Sequence, residues 1–177
     1  MNRRHRFASL LLALLLPVAS VPAASPPIGE VMAGEFALQQ GDLAASARHF
    51  LAAARASGDP AVAERATQVA LVGEQAAIAR QALARWRALA PEAVGMHGAA
   101  VRLALWQGDH EDAMEASGEL LALGDPGFEV LVAALSDARG DAAVIARAVT
   151  RGLFERKALP ESMVAWLGWA GVARRLK

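Results

Sequence analysis

The chain has 177 residues with 18 basic and 18 acidic side chains, no cysteine and no tyrosine. That length fits one or two small domains. The missing cysteine excludes disulfides, thiolate zinc sites, a cysteine nucleophile and a lipidated cysteine. Balanced charge argues against a nucleic-acid binder, whose footprint is a basic surplus. With 43 alanines against 14 valines, 3 isoleucines and 2 threonines, the composition predicts an all-α protein, because alanine is the best helix former and β-branched residues favour strands.

The first element reads as a secretory signal peptide over residues 1–23. Arg3, Arg4 and Arg6 precede an apolar run from Phe7 to Leu16 that Pro17 ends, and Val21-Pro22-Ala23 supplies small residues for cleavage after Ala23. The run is shorter than the roughly 20 apolar residues a bilayer span needs. Cleavage leaves a domain over residues 24–177 with 15 basic and 18 acidic side chains. The expectation is therefore a mildly acidic periplasmic or secreted chain that is not a lipoprotein.

Helix breakers then alternate along the chain: Pro27, Gly41, Pro60, Gly73, Pro91, Gly108, Pro126, Gly140, Pro160. Each of these glycines precedes an acid, in Gly41-Asp42, Gly73-Glu74, Gly108-Asp109 and Gly140-Asp141. A glycine can take the left-handed conformation that stops one helix, and the acid can cap the next. The prolines from Pro60 onward suit the first turn of a helix, where the missing N–H needs no partner, and Asp59 and Asp125 before two of them read as caps. Successive prolines lie 33, 31, 35 and 34 residues apart, and successive glycine-acid pairs 32, 35 and 32. The spacing predicts helix-turn-helix units over about 27–59, 60–93, 94–125 and 126–158, then a helix over 160–176. Within them, Leu43, Ala47, Phe50 and Ala54 form one buried stripe, and Ile78, Ala82, Trp86 and Leu89 another.

A period near 34 with this turn chemistry resembles the tetratricopeptide repeat (TPR) family. In the first unit, Gly34 is the small residue that lets the paired helix approach, Gly41-Asp42 makes the turn, and Phe50 and Ala53 follow. The second unit keeps Ala66, Ala70, Ala79, Leu83 and Trp86, and closes on Leu89-Ala90-Pro91. The third has Ala100, Ala104, Ala113 and Leu120; the fourth has Ala133, Ile145 and Val149. The resemblance covers roughly residues 27–176. The tyrosine common in such repeats is replaced by Ala37, Ala70, Ala104 and Ser136. What it implies is an α-solenoid of helical repeats, similar to exported bacterial TPR proteins.

The last helix departs from a polar cap. Met163 to Val172 is apolar on every side, including Trp166 and Trp169, with charge only at Glu161 before it and at Arg174, Arg175 and Lys177 after it. A terminal repeat needs a polar outer face, so this unpaired helix expects a partner: a further repeat in a longer TPR protein, a second copy held through Trp166 and Trp169, or the fourth unit.

Catalytic and metal constellations are sparse. Asp109-His110-Glu111-Asp112 is the densest polar cluster, but Asp109 reads as a helix cap and the next two acids as complements of the helix dipole. With lysine only at 157 and 177 and no Gly-rich loop, a P-loop is excluded. None of the eight serines lies in a G-x-S-x-G turn. The expectation is a non-enzyme without cofactor or metal.

For repeats of this family, the resemblance implies a concave face lined by the first helix of each unit and able to hold a peptide. That face would carry Glu35, Leu38 and Gln39; Glu64, Gln68 and Leu71; Arg102, Leu105 and Trp106; Val130, Ala134 and Asp137. Arg102 and Trp106, one turn apart, are hot-spot residue types. Repeats that clamp acidic carboxyl tails would need cations and amides where this chain has Val31, Glu35, Arg65, Gly95 and Ala99; only Arg65 suits a carboxylate. The expected function is an exported scaffold binding a partner protein or peptide in that groove. The alternative is an assembly protein self-associating through its C-terminal helix.

Overall fold

The alanine-rich stripes fold as nine α-helices, with no strand, among the described residues of the computed structural model, 28–176. They are α1 (Ile28–Gln39), α2 (Leu43–Ala56), α3 (Pro60–Val72), α4 (Ala76–Leu89), α5 (Val94–Gln107), α6 (His110–Ala122), α7 (Asp125–Asp137), α8 (Asp141–Glu155) and α9 (Met163–Arg175). The signal peptide read over residues 1–23, with its cleavage point after Ala23, lies outside the described residues. No helix among those described is long and apolar enough to cross a membrane.

Two of the four turns follow the glycine-acid logic, with Gly41 and Gly108 at positive φ of 77° and 75°. Gly140 departs from it: at φ 56° and ψ −132° it precedes α8 as the N-cap residue instead of ending α7, and Asp141 sits in the first turn of α8 without a side-chain cap bond. Asp42 accepts the Ala45 N–H at 2.8 Å, and Asp109 accepts those of Glu111 and Asp112 at 3.1 and 3.0 Å, satisfying donors that a helix start leaves open. Asp59 caps α3 through the Ala61 N–H at 2.9 Å. The turn after α3 differs: Gly73 has φ −82° and Glu74 takes the left-handed position at φ 54°. Packing explains the glycine, because a Cβ on Gly73 would stand 2.9 Å from Leu43 Cβ on α2. Three other local expectations are corrected. Asp125 sits in the first turn of α7, which Gly124 precedes at φ 73°. Pro91 and Pro160 stand before their helices instead of in the first turn, and Ser162 caps α9 through the Ala165 N–H at 3.0 Å.

Consecutive helices pack against one another as an α-solenoid of helical repeats. Close approach relies on small residues. A Cβ on Gly34 would meet the Phe50 ring at 3.0 Å, and the buried Ser46 hydroxyl donates to the Gly34 carbonyl at 2.8 Å, tying α2 to α1. Alanines 63, 66, 70, 79 and 82 are fully buried between α3 and α4 with Trp86. The buried hydroxyls of Thr67, Ser117 and Thr150 each donate to the carbonyl four residues back. The fourth unit is looser than a regular hairpin: α7 and α8 barely touch, and α8 packs chiefly on α5 and α6. The last helix, α9, lies mainly on α7.

Candidate functional site

On one face of the solenoid, α3, α5 and α7 run side by side, and their C-terminal ends enclose a cavity of about 380 Å³. Arg102, Leu105 and Trp106 of α5 form its middle, Leu71, Val72 and Glu74 one side, and Asp137 and Arg139 the other. Trp106 is 36 % exposed and Val72 71 %, so an apolar wall faces solvent. Arg102 has no hydrogen-bond or ion-pair partner among the described residues. Arg139 is spent on the carbonyls of Ser136 and Ala138, both at 2.8 Å. Leu105 and Ala134, expected in the groove, are buried beneath it: α5 and α7 turn those positions toward their neighbours.

The other expected groove residues lie apart from this cavity. Arg65 reaches both carboxylate oxygens of Glu35, at 3.0 and 3.2 Å, and its guanidinium carbon stands 5.5 Å from the centre of the Phe50 ring. The one cation that suited a carboxylate is thus engaged within the chain. Gln68 donates to Glu64 at 2.8 Å, one turn apart on α3. Gln39 is exposed at the end of α1.

The sequence reading missed a second cavity, of about 320 Å³, between α4 and α6. The backbones of these two helices stand apart, and α5 forms the floor through Ala100, Leu103 and Ala104. Arg80 and Arg87 stand on the α4 wall; Asp112, Glu115 and Glu119 stand on the α6 wall. Glu119 bridges the walls, accepting from Arg87 at 3.2 Å and lying 3.0 Å from His97 Nδ1. The available signal was charge of opposite sign on successive second helices, which a helix-by-helix reading assigns to solvent. Among the described residues, no three His, Asp or Glu side chains are placed to hold a metal ion. The Asp109-His110-Glu111-Asp112 run is exposed, with Asp109 spent on its cap.

The two C-terminal tryptophans part company. Trp169 is 4 % exposed, with its ring centroid 6.3 Å from that of Phe128 on α7. Trp166 is 49 % exposed and meets Phe154 of α8 edge-on at 5.9 Å. Docking of Ala165, Trp169 and Val172 explains one face of α9 and leaves the opposite one open.

The chain matches no family model, no curated protein and no solved structure.

Proposed function

We propose that the protein is an exported scaffold of the TPR type that binds a partner protein or peptide on the face formed by α3, α5 and α7. The observation that carries this reading is the shared cavity of Arg102 and Trp106. An unpaired guanidinium and a part-exposed indole lie on one helix face beside the apolar walls of Leu71 and Val72. Arginine and tryptophan are the side chains that most often anchor an interface, and they do so in recesses from which a partner excludes water. The mixed rim of Glu74, Asp137 and Arg102 fits a peptide that inserts an apolar side chain and pairs its polar flanks with the edge. The repeat period and glycine-acid turns support the family reading, and the positive, apolar, small-residue order of residues 1–23 supports export.

Affinity capture from an envelope extract tests this reading. The wild-type chain is expected to retain a partner that Trp106→Ala and Arg102→Ala each lose. Equal retention by all three chains would overturn it.

A further inference from the structure

The second helices of neighbouring units pack on one another, α2 on α4 and α6 on α8, but α4 and α6 stand apart. The gap is the cavity of about 320 Å³ floored by α5. Its walls are of opposite charge: α4 carries arginines and no acid, and α6 carries acids and no arginine or lysine.

The two walls share one register. Arg87 meets Glu119 at 3.2 Å, and the residues seven positions earlier on each helix are Arg80 and Asp112, two turns or about 10 Å away. At the first level the ion pair, joined by His97, closes the cleft. At the second level the cleft is open: Arg80, Asp112 and Glu115 line it but form no ion pair among the described residues. Aspartate is one methylene shorter than the glutamate that spans the gap at the closed end. Leu83, Ala100, Leu103 and Ala104 keep the floor apolar.

We propose that the open end of this cleft binds a zwitterion, an α-amino acid or short peptide with free ammonium and carboxylate groups and an aliphatic side chain. The carboxylate faces Arg80, whose planar guanidinium can hold it through two parallel hydrogen bonds. The ammonium faces Asp112 and Glu115 on the other wall, and the side chain lies on the alanine and leucine floor. Charges of opposite sign that face each other without meeting stay hydrated, and a guest of both signs replaces that water on both walls. A simple anion is opposed by the two carboxylates, and a simple cation by Arg80. Gln107, at the C-terminal end of α5, adds an amide to the lining. A few convergent polar groups over an apolar lining are what small-molecule sites share. The site is separate from the Trp106 face: α5 stands between them, with Ala100, Leu103 and Ala104 toward one and Arg102 and Trp106 toward the other.

Isothermal titration calorimetry on the purified full chain tests the proposal with leucine, with N-acetyl-leucine, which lacks the ammonium, and with leucinamide, which lacks the carboxylate. The wild-type chain is expected to bind leucine at least about tenfold more tightly than either blocked form. Arg80→Gln is expected to lose the preference over leucinamide, and Asp112→Asn with Glu115→Gln the preference over N-acetyl-leucine. All three positions are exposed, and wild-type helical circular dichroism checks that each variant folds. Arg80→Lys is expected to restore part of the lost preference. Trp106→Ala is expected to bind leucine as wild type does, so failure of the Trp106 face and failure of this cleft are read separately. Leucyl-alanine, titrated beside leucine, separates the two sources of the ligand, the tighter binder being the class the cleft takes. No binding of either leucine or leucyl-alanine, equal affinity for the blocked forms, or a preference unchanged by the wall substitutions overturns the proposal.

Discussion

Gly98 of α5 lies directly against Val130 of α7: a Cβ built on Gly98 would stand 2.4 Å from Val130 Cγ1. The contact sets how closely two of the three helices around the Trp106 cavity approach, about one turn before the cavity begins. A β-branched valine has little rotamer freedom to retreat.

Gly98→Ala is therefore expected to lose stability even though alanine is the better helix former by about 1 kcal/mol. Overpacking of this kind costs about 1–3 kcal/mol. Removing the obstructing methyls should relieve it. In a denaturant-unfolding cycle, Gly98→Ala with Val130→Ala should be less destabilised than the sum of the singles, by more than about 1 kcal/mol. Additive losses would mean that the two helices are not packed through this pair.

The turns offer a second comparison. Asp109 caps α6 with two N–H bonds, and Asp109→Ala should cost about 1 kcal/mol. Glu74 makes no such cap and occupies a left-handed backbone position at φ 54°. Glu74→Gly should stabilise the chain, by up to about 1 kcal/mol, because glycine pays no Cβ penalty there. Thermal unfolding of the two variants should move in opposite directions.

The tryptophans of α9 should separate in the same assay. Trp169 is buried on Phe128, and Trp169→Ala is expected to cost about 3–5 kcal/mol. Trp166 keeps only an edge contact with Phe154, and Trp166→Ala should cost about 1 kcal/mol. Equal losses would place both side chains in the core and contradict an open face on α9.

These contrasts show where the sequence was readable. Proline and glycine spacing marked all the helices because breakers act locally, and Gly34 was legible as a close approach because Phe50 follows at repeat spacing. The exchange of roles between Gly73 and Glu74 was not legible: the need for glycine there comes from Leu43, thirty residues away, and not from the turn. Arg102 and Trp106 fell on one cavity because residues four apart share a helix face. Leu105 and Ala134 went inward because the tilt of α5 against α7 is set by packing that periodicity does not encode. The tight pairing of Arg65 with Glu35, and the separation of α4 from α6, are properties of stacked units and lie beyond a single-helix pattern.

The most direct measurement is the affinity of a peptide, selected from a random library against the purified wild-type chain, for wild type, Trp106→Ala and Trp166→Ala. A groove anchored by Trp106 predicts a loss of at least about thirtyfold on Trp106→Ala, equivalent to about 2 kcal/mol for a hot spot, and unchanged affinity on Trp166→Ala. A Trp106→Ala chain with wild-type helicity and undiminished affinity, or a library that yields no ligand, would contradict a binding role for the α3, α5 and α7 face.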